Sequence, residues 1–162
     1  MDYYDRQIVS ALLENGRASF AELARRVNLS PPAVAERVAK LEASGIITGY
    51  HAAVNLKALG QPIECLIALT LHRTSNERLL AELATIPQLT ACYRVTGEAC
   101  VMLKAAVADM LELEALIDRL MQYGMSKTSM ILSTPFERTI PASLQSPERS
   151  VQRKSSVSSI GT

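Results

Sequence analysis

Imidazole and large aromatic side chains are nearly missing from this sequence, which has two histidines, His51 and His72, two phenylalanines and no tryptophan. Histidine-centred catalysis and base stacking on aromatic platforms have little to work with. Cysteine is scarce as well: Cys65, Cys92 and Cys100 are odd in number, sit among apolar neighbours and lack CxxC spacing. That pattern excludes a disulfide framework and a zinc or redox motif, and predicts reduced, mostly buried thiols. Long hydrophobic runs are absent. The longest, Cys65 to Leu71, is seven residues and includes Thr70, against the roughly 18 of a membrane-spanning helix. Asp2 and Asp5 stand where a secretory signal carries basic residues before an apolar run, so the expected location is the cytoplasm, with no membrane partner. Charge of one sign is also missing, with 17 Lys plus Arg against 16 Asp plus Glu.

What is present is 162 residues with 48% apolar content, enough for one ordinary or two small domains. Residues 1–50 hold six basic and six acidic groups, 51–134 hold seven and eight, and 135–162 hold four and two. From Thr139 the composition turns to Ser, Pro, Gln and Arg, with seven serines in 24 residues. Apolar burial there cannot offset ordering entropy, so 139–162 is expected to be a flexible tail. Near residue 47 helical patterning gives way to period-two patterning, which marks a domain boundary.

Three helices are expected before that boundary. Asp2 caps a helix with the apolar stripe Ile8, Val9, Leu12 and Leu13, ending at Asn15-Gly16, residues suited to a left-handed cap. Ser19-Phe-Ala-Glu22 has the spacing in which Ser and Glu satisfy each other's free amides, ahead of Leu23, Ala24 and Val27. After a short turn, Ser30 caps a third helix with Pro31 at its first position and Val34, Val38 and Leu41 inward, stopped by Ser44-Gly45.

Beyond Ile46 the pattern is a strand, a long loop and two strand-helix-strand copies. The first copy holds Ile63 with CLIALTL, a helix from about Asn76 to Ala84, and a strand over Thr90–Val95. The second holds a strand over Ala99–Val107, a helix over Met110–Tyr123 with Leu113, Leu116, Ile117 and Leu120 inward, and a strand over Lys127–Ser133. A βαββαβ order is the ferredoxin-like arrangement, with two helices on one sheet face. Cys65, Ile67, Leu69 and Leu71 alternate with Leu66, Ala68 and Thr70, so both faces carry apolar groups and the uncovered one calls for a partner subunit.

A helix, a turn and a Ser-Pro-capped helix form a helix-turn-helix, in which the second helix enters the major groove of double-stranded DNA. Subtraction of its inward stripe leaves Pro32, Ala33, Glu36, Arg37 and Lys40 outward. Ser30, Arg37 and Lys40 can reach phosphates or a guanine edge, Pro32 and Ala33 a thymine methyl, and Glu36 a cytosine amine. Glu36 and Lys40 also have the spacing of a plain surface ion pair. Arg25 and Arg26 are phosphate candidates, or a solvated face. A head of balanced charge gains little from counterion release, so a single head binds weakly and pairing becomes part of recognition. No P-loop, no G-x-S-x-G and no metal-ligand cluster is present, and Glu112, Glu114 and Asp118 read as a solvated helix face. An enzyme, a metal or a cofactor is therefore not expected.

Asp2-x-x-Asp5, Asn15-Gly-Arg17, Glu22-Leu-Ala24, Leu29-Ser30, Arg37-Val38, Leu41-Glu42, Gly45-Ile-Ile47 and Gly49-Tyr50 together resemble the Lrp/AsnC (leucine-responsive, feast-famine) transcriptional regulators over about residues 1–138. The resemblance implies an α+β chain. A helix-turn-helix (winged-helix-like) domain would span 1–47, a hinge strand and linker 48–61, and a ferredoxin-like effector-binding and oligomerisation domain 62–138. It also implies a homodimer assembling to a higher oligomer, an octamer, acting on DNA at the nucleoid.

In that family an effector site lies between dimers at a glycine turn of the form G-x-x-D. Here Gly97, Glu98 and Ala99 keep the turn, and Cys100 stands where the resemblance expects Asp. A neutral thiol supplies neither the charge nor the acceptors to hold an amino acid's ammonium. Glu98 faces away from the position that follows it, and Thr128 and Ser129 are hydroxyl candidates for the same pocket, or ordinary strand residues. The departure at Cys100 raises the alternative of a DNA-architectural protein, bending or wrapping DNA with no small effector.

Overall fold

The computed structural model describes residues 1–72, 77–141 and 144. The chain forms two units: Ala53–Pro135, and Met1–Ala52 together with the described residues from Phe136 onward.

The first unit is built on α1 (Tyr3–Glu14), α2 (Phe20–Val27) and α3 (Pro31–Ala43). Asp2 and Ser19 cap α1 and α2 in reciprocal boxes with Asp5 and Glu22, and the Ser30 side chain accepts from the Ala33 amide. These caps satisfy amides that the first helical turn leaves without partners. Ile8 and Ala11, Leu23, Ala24 and Val27, and Val34, Val38 and Leu41 form the core between the three helices. The α1 stripe differs from expectation: Ala11 is buried beside Ile8, Val9 and Leu12 only flank that core, and Leu13 is exposed. Asn15 is extended rather than left-handed; the left-handed residue is Asn28, at φ +55°, between α2 and α3. Among the described residues no strand pair follows α3 as a wing.

Residues 48–61 form no strand among the described residues. Among the described residues the expected hinge strand pairs with none of the four strands of the sheet, and unpaired extended backbone gains no ladder bonds. Turns closed by Leu56, Lys57 and Asn55 carbonyls occupy 55–61 instead.

The second unit holds β1 (Ile63–Leu71), α4 (Glu77–Ala84), β2 (Leu89–Arg94), β3 (Val101–Val107), α5 (Met110–Met121) and β4 (Gly124–Met130). Asn76, the expected helix start, lies outside the described residues. The strands lie in the order β2-β3-β1-β4, every pair antiparallel, which is the ferredoxin-like order the sequence predicted. One face carries Cys65, Ile67, Leu69, Val101, Leu103, Ala105 and Val107, packed against Leu83, Ile86, Leu113, Leu116 and Leu120. β4 begins three residues earlier than expected because the Gly124 backbone pairs with Leu71 at a separation no side chain permits: a Cβ there would lie 2.1 Å from the Thr70 carbonyl oxygen. Of the thiols, Cys65 is buried, Cys100 half-buried and Cys92 exposed. Cys92 departs from expectation: it lies on β2, an edge strand of the sheet, and is exposed there.

Candidate nucleic-acid interface and effector turn

The head places its two last helices by a tight connection. Asn28 turns the chain in the left-handed region, where Asn is among the few tolerated side chains, and the Leu29 amide donates to the Ala24 carbonyl at 3.1 Å. Ser30 then opens α3. Of the face set by subtraction, Pro32, Glu36 and Lys40 are exposed, whereas Ala33 and Arg37 are half-buried. Glu36 and Lys40 form the i,i+4 pair at 2.6 Å, and the Lys40 ammonium holds the Glu36 carboxyl below its ordinary range. Arg26 pairs with Glu14 of α1 at 2.5 Å. Arg25 is exposed on the last turn of α2.

Arg37 differs from its outward neighbours. Its Nη1 donates to Asp2 Oδ2 at 2.6 Å and to Asp5 Oδ1 at 2.7 Å, and its guanidinium lies 5.4 Å from the centre of the Tyr4 ring. The two carboxylates push its protonation further up. The Asp5 amide foremost, with Arg37, holds the Asp2 carboxyl below its usual range. Sequence reasoning found Asp2 as a cap residue and missed both Asp5 as its partner in the cap and Arg37, which lies 35 and 32 residues along the chain from the two acids. A groove of about 600 Å³ beside this cluster is lined by Asp2, Asp5, Ala33, Glu36, Arg37 and Lys40.

In the sheet unit the turn between β2 and β3 pivots on Gly97, at φ +113°. The Thr70 hydroxyl donates to the Glu98 carbonyl at 3.2 Å, and the Cys100 amide donates to the Leu69 carbonyl at 3.0 Å. Glu98 is exposed, Ala99 and Cys100 are half-buried, and Cys100 packs against the sheet core. Thr128 and Ser129 lie on the other side of β1, paired with Ile67 and Leu66. Being adjacent in a strand they face opposite ways, Thr128 with buried Ile67 and Ser129 on the uncovered face. The single chain therefore assembles the turn residues together and keeps Thr128 and Ser129 apart from them.

The uncovered face carries Leu66, Ala68, Met102, Tyr93 and Met125, flanked by the Lys104–Glu64 ion pair at 3.2 Å. Among the described residues no helix is long and apolar enough to cross a membrane.

Comparison with known proteins covers both units. Residues 1–42 match the AsnC-type helix-turn-helix domain and 64–141 the Lrp/AsnC ligand binding domain. The chain is 37% identical over 133 residues to the HTH-type transcriptional regulator LrpC of Bacillus subtilis, covering 82% of this chain and 92% of that one. Its fold matches the solved structure of B. subtilis LrpC with a TM-score of 0.81 at 36% identity, over 85% of this chain and 99% of the other. It also matches a feast or famine regulatory protein from M. tuberculosis complexed with L-methionine, with a TM-score of 0.80 at 33% identity, over 86% and 97% of the two chains. With matched domains on both units and relatives that are regulators rather than enzymes, the chain belongs to the Lrp/AsnC family of transcriptional regulators.

Proposed function

We propose that this regulator binds DNA sequence-specifically through α3, as a homo-oligomer in the cytoplasm, and that an amino acid or related small molecule bound between dimers modulates it. The observation that carries the reading is the Ser30-capped α3, which follows a three-residue turn and presents Pro32, Ala33, Glu36 and Lys40 outward on a head joined to a Lrp/AsnC ligand binding domain. Ser30, Arg25 and Arg26 would supply phosphate contacts around that face. The Glu36–Lys40 pair must open for either side chain to meet a base, a small cost for an exposed pair.

The uncovered apolar face of the sheet supports dimerisation through this surface, and dimers would assemble further, to an octamer at the nucleoid. Two heads on a two-fold axis favour half-sites about 10 bp apart. The Gly97 turn with Glu98, Ala99 and Cys100, and Thr128 or Ser129 of a neighbouring chain, is the proposed effector site. The L-methionine complex of the M. tuberculosis relative supports an amino-acid class of effector.

The second reading is a DNA-architectural protein with no small effector, and the neutral Cys100 favours it. Fluorescence anisotropy on the protein's own upstream DNA against random DNA of equal length, with and without pooled amino acids, separates the two. Selective binding that shifts with amino acids supports the first reading. Equal binding of both DNAs, indifferent to amino acids, supports the second, and no binding to either overturns the assignment of α3.

A further inference from the structure

Both bonds of Arg37 to carboxylates leave from one nitrogen, Nη1, and reach the two acids that cap α1. One guanidinium on α3 thus closes onto the first turn of α1. The contact is half-shielded, with 30% of the Arg37 side chain and 17% of the Asp5 side chain exposed. The Tyr4 ring flanks the cation.

We propose that Asp5 and Arg37 are positioning residues for DNA recognition: their tie fixes the roll of α3 about its own axis, and with it the aim of Glu36 and Lys40, and Arg37 does not itself clamp a phosphate. The inference rests on reading α3 as the recognition helix. Val34, Val38 and Leu41 anchor α3 along a single narrow stripe. A stripe of apolar contacts holds a helix at its packing distance more firmly than it holds its rotation, because the hydrophobic effect is non-directional. The Arg37–carboxylate bonds, to one side of that stripe, are charge-assisted and directional, and they supply the missing restraint.

Charge argues against a phosphate clamp. Two carboxylates surround one guanidinium, so a phosphate approaching Arg37 meets a net negative cluster and loses Coulomb energy in place of gaining it. The acids cannot leave cheaply, since Asp2 and Asp5 also accept from each other's amides at the positive end of α1. Lys40, paired with an exposed i,i+4 carboxylate and itself 73% exposed, is the cation of α3 that is open to phosphate or base.

The test measures the full chain on its upstream DNA and on random DNA across a salt series, with the folded fraction read by circular dichroism. Asp5→Asn keeps an acceptor for the Asp2 amide and removes the negative charge that faces Arg37. The expected result is that Asp5→Asn and Arg37→Gln each weaken upstream-DNA binding by about five- to tenfold, in the range of coupled-pair effects. Random-DNA binding and the salt slope stay as in the unaltered chain, and the double variant is no weaker than Arg37→Gln alone. If Arg37 were a phosphate clamp, Asp5→Asn would tighten binding and Arg37→Gln would lower the salt slope by about one; that result overturns the inference. A lower melting temperature with unchanged DNA affinity of the folded chain overturns it too, as a purely structural tie. Lys40→Ala keeps the two questions apart. A loss on both DNAs supports α3 as the DNA-facing helix, so that a silent Asp5→Asn then sinks the positioning role alone, whereas a silent Lys40→Ala overturns the assignment of α3.

Discussion

The Cys100 amide donates to the Leu69 carbonyl at 3.0 Å, which sets the residue after the Gly97 turn directly beside β1 and against the apolar core of the sheet. A carboxylate at that place is half-buried and must find its partners among the turn amides. Cys100→Asp is therefore expected to lower stability by about 1–3 kcal/mol, the cost of an incompletely satisfied polar group. It is also expected to gain amino-acid binding, because it supplies the charge an ammonium needs. Thermal unfolding with and without a panel of amino acids reads both effects. A variant that is destabilised yet unshifted by every amino acid would place the effector elsewhere.

Leu66, Tyr93 and Met125 stand 39%, 55% and 74% exposed on the face of the sheet opposite the one that α4 and α5 cover. Leu66 is central, on β1 between β3 and β4. Leu66→Asp should leave the circular dichroism of the chain intact and reduce its mass in light scattering to that of a monomer, since one buried unpaired charge per chain opposes a close-packed apolar interface. Retention of the full oligomer mass would remove this face from the assembly.

Gly124 and Gly97 are required for different reasons, and the difference is measurable. At Gly124 a Cβ meets the Thr70 carbonyl oxygen at 2.1 Å, so Gly124→Ala must part β1 from β4. The expected loss is about 3 kcal/mol or more in urea unfolding. At Gly97 a Cβ has open space and only the positive φ resists it, so Gly97→Ala should cost about 1–2 kcal/mol. Equal losses would mean that the β1–β4 spacing relaxes freely.

Local signals were legible in the sequence where the physics is local. Ser19 and Glu22 cap α2 as their spacing required, and Val34, Val38 and Leu41 occupy the stripe read from their period. The order of strands followed from the two strand-helix-strand copies, whose βαββαβ order is that of the ferredoxin-like sheet. Interactions that join distant residues were not legible. Arg37 was placed outward because its own helix gives no hint of Asp2 and Asp5. The start of β4 was missed because Gly124 and Met125 carry no strand propensity, and pairing with Leu71 and Thr70 overrides that lack. Thr90 bulges out of the β2–β3 register with its hydroxyl on the Lys104 carbonyl at 3.3 Å, a feature that no single-strand pattern encodes. Of the tail expected over 139–162, residues 142, 143 and 145–162 lie outside the described residues. Thr139 and Ile140 line a cavity of about 150 Å³ with Val9, Leu12, Leu13 and Ile46, which the low apolar content of the tail did not foretell.

That cavity makes the first tail residues part of the head. Val9 and Leu12 of α1 face away from the three-helix core only in part, and Ile140 is half-buried beside them. Ile140→Asp should lower the stability of the head by about 1–2 kcal/mol through lost apolar burial. Differential scanning calorimetry locates the loss, which should fall on the head and leave the sheet unit unchanged. A chain as stable as the original would return Thr139 and Ile140 to the tail.

Acid should weaken both units, through carboxylates that the fold holds ionised. In the sheet unit Glu112 accepts from the Ala108 amide at 2.8 Å and from Gln88 Nε2 at 2.9 Å, and these bonds hold its carboxyl below the ordinary range. In the head Asp2 is lowered by the Asp5 amide and by Arg37, and Glu22 by the Ser19 amide and hydroxyl. A carboxyl with a depressed folded pKa binds its proton more readily in the unfolded chain. Its stabilising effect is therefore complete above the ordinary carboxylate range of about 4 and is lost as pH falls through the lower, folded value. Melting temperature should be flat from about pH 6 to 8 and should fall progressively below about pH 4.5. Because Asp2 and Glu22 are exposed and Glu112 is only half-buried, the slope is shallow and salt reduces it. Glu112→Gln removes the titrating proton and keeps one acceptor, so its melting curve should start lower at neutral pH and converge with that of the unaltered chain in acid. Parallel curves at every pH would show that Glu112 contributes through shape rather than charge.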